Sequence, residues 1–475
     1  MPSFRQIASE RCWGRDRSNF WFPASFIMKI NRYLLGSTLV AALGGFLFGF
    51  DTAVISGTTE ALRHVFHLAS GQLGFTVASA LIGTIVGSIA AGRPAEQFGR
   101  KPVLVSLAVL YFVSGLGCAL AWSWWALIVS RFIGGLAIGG ASVVSPMYIA
   151  EISPPQVRGR LVAVSQLNIV MGVLTAYFSN YVVASLLAAS PSGGDTVAWR
   201  WMFGIVAVPA ALFFIFLLPI PESPRWLVKR HRRDEALAVL RNLGNEAPAQ
   251  VLEEIVESLH EETVSADEPF FQKKYRKPIL LVIMVATFNQ LSGINALIYY
   301  TADIFRMAGA AQAGALFQAV IIGLTNLIFT LVAMSVIDHF GRKRLLLIGA
   351  AGLAACLAST SFAFYSGIGG RLVLVSLIGY IAFFAFSQGS VIWVFISEIF
   401  PNRVRARGQA FGSFVHWAWC AAVSWTFPII AEWSGGVAFA VFSGMMVLQL
   451  VMVWKYLPET KGVSLEQIQR VLGIQ

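Results

Sequence analysis

The sequence predicts an all-α membrane protein of twelve transmembrane helices in two pseudo-symmetric six-helix halves. Three observations carry this: an extreme apolar composition, basic residues gathered in alternate connections, and a set of motifs that occurs twice. Hydrophobic residues make up 57% of the 475 and charged residues 12%, against roughly 25% charged in a soluble globular chain. The mean hydropathy is +0.70. A helix needs about 20 apolar residues to cross the hydrocarbon core. Twelve runs meet that demand, near 35–57, 72–92, 102–121, 124–150, 160–188, 199–219, 278–304, 314–337, 344–365, 371–398, 408–430 and 436–456.

The net charge of +11 is not the footprint of a nucleic-acid partner, because its placement follows the positive-inside pattern of membrane proteins. Arg5, Arg11, Arg15, Arg17, Lys29 and Arg32 precede the first run. Arg93, Arg100 and Lys101 follow the second, and Arg158 and Arg160 follow the fourth. Arg225, Lys229, Arg230, Arg232, Arg233, Lys273, Lys274, Arg276 and Lys277 crowd the stretch 220–277. The intervening connections carry almost none, with Arg63 and Arg200 the main exceptions. Both termini are therefore expected in the cytoplasm, as a tail over 1–32 and another over 458–475, in a multi-pass protein of an inner or plasma membrane. Residues 1–27 lack the apolar core and cleavage site of a signal peptide; Met28, which precedes a short basic stretch and the first span, reads as the start. Cys118, Cys356 and Cys420 lie inside apolar runs and Cys12 in the tail, with no spacing that suggests a metal site or a disulfide framework.

The third observation is the repeat. Phe98-Gly99-Arg100-Lys101 returns as Phe340-Gly341-Arg342-Lys343. Glu151-Ile152-x-Pro154-x-x-Val157-Arg158-x-Arg160 returns as Glu398-Ile399-x-Pro401-x-x-Val404-Arg405-x-Arg407. Pro221-Glu222-Ser223 returns as Pro458-Glu459-Thr460. The three follow the second, fourth and sixth spans of each half, in the same order. The chain is thus read as a half over 33–219, a cytoplasmic linker over 220–277 with helical patterning around 233–243 and 249–262, and a half over 278–457. A parallel repeat of six spans, with a site between the halves, is the plan of the major facilitator fold.

Chemistry is sought where polar groups sit in apolar runs. Asp51 lies inside the first span, where a carboxylate costs on the order of 2.5–3.5 kcal/mol on insertion scales. Arg131, near the start of the fourth span, is its candidate partner. Burial favours the neutral carboxyl and a guanidinium favours the ionised one. A pair that forms in one conformation and separates in another would couple proton affinity to conformation; a permanent structural ion pair is the alternative. A second set, Arg100, Glu151 and Arg158 with their counterparts Arg342, Glu398 and Arg405, is expected to gate one face. Its salt bridges would form when the cytoplasmic side shuts and be taken by water when it opens; charges that only set topology are the alternative. A third set is amides within the membrane: Gln166 and Asn168 in the fifth span, Asn289, Gln290 and Asn295 in the seventh, and Asn326 in the eighth. Amides both donate and accept, as sugar hydroxyls require, though each singly also suits an interhelical bond. Tyr299, Tyr300, Trp393 and Trp417 are candidates to stack on a pyranose ring. Gly83, Gly87 and Ala91, with Gly135 and Gly139, have the four-residue spacing of close helix packing.

The runs Gly49-Phe50-Asp51-Thr52-Ala53-Val54-Ile55-Ser56-Gly57, Pro146-Met147-Tyr148-Ile149-Ala150-Glu151, Pro221-Glu222-Ser223-Pro224-Arg225-Trp226-Leu227, Gln290-Leu291-Ser292-Gly293-Ile294-Asn295, Ser397-Glu398-Ile399-Phe400-Pro401 and Pro458-Glu459-Thr460-Lys461-Gly462 resemble the sugar porter family of the major facilitator superfamily over residues 33–468. The likeness extends to bacterial xylose and glucose symporters and to the facilitative glucose transporters of animals. It implies that Asp51 matches a protonatable aspartate and Arg131 its partner. It also implies that Gln166, Gln290, Asn295, Asn326 and Trp393 match sugar contacts. Asn289 and His416 stand where glutamine is common, Val173 replaces a glutamine, and Gln388 and Ser390 replace tryptophan and proline. His416 is read as a neutral hydrogen-bonding group, with proton relay and plain packing as the alternatives. The expectation is a monosaccharide transporter, for a hexose or a pentose, driven by protons and working as a monomer without a cofactor. A facilitative uniporter and a proton-coupled polyol or inositol carrier are the nearest alternatives; a non-transporting sugar sensor is a different class. No nucleophile–base pair or nucleotide loop points to an enzyme.

Overall fold

The computed structural model describes residues 31–187, 194–264 and 269–461, and is helical with no strand among them. Among the described residues, twelve helices are long and apolar enough to cross a membrane. The first six spans are Arg32–Gly57, Ser70–Ala90, Arg100–Ala119, Trp124–Ile152, Arg158–Leu187 and Val197–Leu217. The second six are Lys273–Tyr299, Gln312–Ser335, Arg342–Ser366, Arg371–Ile399, Arg403–Trp433 and Gly435–Tyr456. The expectations for 1–30, with the start at Met28, and for most of the C-terminal tail lie outside the described residues.

Lipid tails give no hydrophobic drive between helices, so small residues that admit backbone to backbone decide which spans meet. A side-chain carbon on Gly83 would strike the carbonyl of Phe132, and one on Gly135 the carbonyl of Ala80. The glycine spacing read from the sequence therefore joins the second span to the fourth.

The linker folds into helices Pro224–Lys229, Arg233–Asn242 and Pro248–Val264. Trp226, Leu227, Val228, Ala236, Leu240 and Leu252 form a small apolar core of their own. Trp226 Nε1 donates to the carbonyl of Glu96 at 2.9 Å, which docks this unit on the first half. Asn31 Nδ2, before the first span, donates to the carbonyl of Asn242 at 2.7 Å. The linker and the start of the first span thus share one face of the bundle, called the linker face below.

The motif repeat has a physical basis. Gly99 and Gly341, at φ +104° and +85°, open the third and ninth spans in a backbone conformation that suits glycine. The Glu222 carboxylate accepts from the backbone N–H of Arg100 at 3.0 Å and of Lys101 at 3.2 Å. Glu459 does the same for Arg342 at 2.9 Å and Lys343 at 3.2 Å. A carboxylate at a helix N-terminus satisfies orphan donors and complements the helix dipole. Burial pushes the Glu222 carboxyl up, against the pull of these N–H groups and of the Arg100 charge.

The halves touch on the side away from the linker. Tyr177 OH on the fifth span lies 2.8 Å from both the carbonyl of Ile298 and Thr301 Oγ1. The N–H of Ala302 donates to Ser56 Oγ at 3.1 Å, and Trp425 Nε1 to the carbonyl of Gly71 at 3.1 Å. Arg306, just past the seventh span, pairs with Glu60 of the first half at 2.8 Å and with Asp303. Arg200 instead caps carbonyls of Ala119 and Ala121 at 2.8 and 2.9 Å within its own half.

Candidate functional site

Two polar groups lie within the bundle, one in each half. In the first, Asp51 Oδ2 is 3.6 Å from Arg131 Nη2. The Arg131 side chain is fully buried, its guanidinium lies 5.7 Å from the Phe203 ring, and its three nitrogens make no hydrogen bond among the described residues. This is a close ion pair without a hydrogen bond, so its partners are held near each other rather than locked together.

The second group grows from a break in the seventh span. Its helix runs over Arg276–Leu291, and a short helix Ile294–Tyr299 resumes beyond Gly293, at φ +85°. In a continuous helix, residues five apart lie on different faces. The break instead brings Asn295 Nδ2 to within 2.6 Å of Gln290 Oε1. Gln290 Nε2 donates to Asn289 Oδ1 at 3.2 Å and lies 3.0 Å from the His416 ring. Asn289 Nδ2 donates to the carbonyl of Gln388 at 3.4 Å. The His416 ring is 5.0 Å from Trp393 and 5.2 Å from Trp417, and Trp417 meets Phe48 of the first span at 5.5 Å. Trp393 is 38% exposed while Gln290 is wholly buried. A row of amides thus leads to an indole with an open side, an arrangement of paired donors and acceptors beside an apolar ring that suits a polyhydroxylated solute.

The structure brings Asn289, Gln290, Asn295, Trp393, His416 and Trp417 together. Gln166 and Asn326 are half-buried on the fifth and eighth spans and make no hydrogen bond among the described residues. Tyr300 is used for packing: its ring stacks on Phe427 at 5.2 Å and its hydroxyl donates to the carbonyl of Ser424 at 2.9 Å.

Four of the charges assigned to gating are paired. Arg100 pairs with Glu151 at 2.8 Å and Arg342 with Glu398 at 3.0 Å, each pair within one half. The first of these pairs is buried: the Arg100 side chain is 4% exposed and Glu151 10%. The exposed Arg158 guanidinium donates to the carbonyl of Ser153 at 3.4 Å. Neither Arg158 nor Arg405 pairs with a carboxylate among the described residues. Glu96 joins this network through Arg100 at 2.8 Å and through Lys229 of the linker. Burial would raise the Glu96 carboxyl, yet the Lys229 hydrogen bond and the Arg100 and Lys229 charges outweigh it and hold the group below the usual carboxylate range.

A twelve-span bundle in two halves, with a polar group buried among the spans of each, defines a secondary transporter rather than an enzyme. The chain belongs to the sugar (and other) transporter family, whose model matches residues 37–472. It is 40% identical over 472 residues to the D-xylose-proton symporter of Escherichia coli strain K12, covering 92% of this chain and 95% of that protein. It is 36% identical over 435 residues to the arabinose-proton symporter of Bacillus subtilis strain 168, covering 91% and 93%. The xylose transporter XylE from E. coli, solved in an inward open conformation, superposes with a TM-score of 0.83 at 38% identity, covering 92% of this chain and 99% of that one.

Proposed function

We propose that the protein imports a monosaccharide, a hexose or a pentose, coupled to protons by alternating access, in an inner or plasma membrane with the linker face in the cytoplasm. The observation that carries this is the Asp51–Arg131 pair, an ionisable couple buried between the first and fourth spans with no hydrogen bond to fix it. A proton that neutralises Asp51 weakens the pair, and reorientation of the halves then carries proton and sugar together. The relatives named above as proton symporters support the same reading, and the likeness to an inward open structure agrees with the hydrogen bonds and ion pair that join the halves on the side away from the linker. Gln290, Asn295 and His416 bind hydroxyls, with Trp393 and Trp417 against the ring; Asn289 orients Gln290. The protein works as a monomer and needs no cofactor beyond the coupling proton.

Entry of one proton supplies about 2.3 kcal/mol per 100 mV. At about 1.4 kcal/mol per tenfold, that sustains roughly 40-fold accumulation. The Arg100–Glu151 and Arg342–Glu398 pairs brace each half as it moves. Uptake of radiolabelled xylose, arabinose and glucose into proteoliposomes, with and without an imposed pH gradient, tests the proposal. Gradient-driven accumulation of at least one sugar is expected. Uptake that only equilibrates would indicate a facilitative carrier, and preference for a polyol a different substrate class.

A further inference from the structure

We propose that Gln388 and Gln449 form a positioning pair that sets which sugar the site prefers, without either side chain touching the sugar. The inference rests on the sugar-transport reading and adds to it the residues that tune the site.

Gln388 opens the second segment of the tenth span. That span is interrupted at Ser387, between helices Arg371–Phe386 and Gln388–Ile399. Gln388 Nε2 donates to Gln449 Oε1 on the twelfth span at 2.7 Å and lies 3.4 Å from Met446 Sδ. Both glutamines are 1% exposed, and Gln388 Oε1 has no hydrogen-bond partner among the described residues. An apolar side chain would fill this interior without the desolvation cost of two amides, one of them partly unsatisfied. Packing alone therefore does not account for the pair.

What it fixes follows from its connections. The Gln388 carbonyl accepts from Asn289 Nδ2, Asn289 holds Gln290, and Gln290 meets both His416 and Asn295. The helix that Gln388 opens also carries Trp393, whose ring stands 5.0 Å from His416. One anchor on the twelfth span thus sets the rotation of a segment that supplies the indole wall and the seat of the amide wall. A small rotation there moves both walls relative to each other. That is how discrimination between a five-carbon and a six-carbon ring would shift.

The test is binding and transport of D-xylose and D-glucose by the full-length protein with Gln449→Leu, with Gln449→Met as the volume-keeping variant, and with Gln388→Leu. The expected result is a change of about threefold or more in the xylose-to-glucose affinity ratio. KM should move by about fivefold while turnover at saturation stays within about twofold. The double variant Gln388→Leu/Gln449→Leu should be no worse than the worse single, as coupled residues behave. Should Gln449→Leu fail to fold, Gln449→Met carries the same expectation. Unchanged ratios in folded variants, or strict additivity in the double variant, would overturn the inference. Wild-type protein that binds neither of these sugars nor arabinose would instead sink the transport reading itself.

Discussion

At the scale of single residues, the amides of the seventh span carry the most direct expectation. Gln290→Ala and Asn295→Ala each leave partners unpaired in a buried site, which costs about 1–3 kcal/mol. Sugar titrations should therefore weaken by roughly 5- to 150-fold, and unchanged affinity in both would move the site elsewhere. These residues were legible in the sequence because an amide or a carboxylate inside an apolar run has few uses. Asp51 and Arg131 were legible for the same reason. What was not legible is which polar residues meet. The Gln388–Gln449 bond joins the tenth span to the twelfth, and nothing local to either glutamine signals it. Tyr300, a candidate to stack on a sugar ring, stacks here on Phe427 instead, because an aromatic beside an amide cluster looks the same in sequence whether its ring faces a ligand or another side chain.

Among the elements, the broken seventh span and the capped third and ninth spans are the informative ones. Gly293→Ala would place a side chain at positive φ and against the Phe442 ring. A left-handed conformation costs an L-residue about 1–2 kcal/mol. The variant should unfold at lower temperature and lose sugar affinity together, since the break is what brings Asn295 to Gln290. Loss of stability with affinity intact would show that the break does not build the site. The caps make a separate expectation. Glu222→Ala and Glu459→Ala each remove hydrogen bonds from a carboxylate to two helix-end N–H groups, at about 1.5–3 kcal/mol for such a bond to a charged group. Thermal unfolding should register both, and by similar amounts if the halves are equivalent. The motif repeat was plain in the sequence, but its capping role was not, because Glu222 acts on residues more than a hundred positions upstream. The linker shows a pH effect whose sign is fixed. The Glu96 carboxyl is held below its ordinary value, so its contribution is present above the unfolded pKa, about 4.3 for glutamate. That contribution is lost as pH falls through the lower folded value.

For the whole molecule, the contact to break is the ion pair between halves at Arg306 and Glu60. Its Arg306 side chain is 15% exposed, and its energy belongs only to the state in which the outer side is shut. A loss of about 1.4 kcal/mol in that state alone changes the ratio of the two conformers tenfold. Glu60→Gln and Arg306→Gln should therefore raise labelling of a cysteine placed in the outer half of the central cavity. Reduced labelling, or none gained, would remove the pair from the closing device. Alternating access with proton coupling is the claim on which the rest stands, and concentrative uptake set beside exchange tests it most directly. Wild-type protein in proteoliposomes should accumulate sugar against its gradient when a pH gradient is imposed. The Asp51→Asn variant should lose that accumulation and keep sugar counterflow, because the amide cluster is intact while the protonatable group is gone. An Asp51→Asn protein that concentrates sugar as well as the wild type would contradict the account.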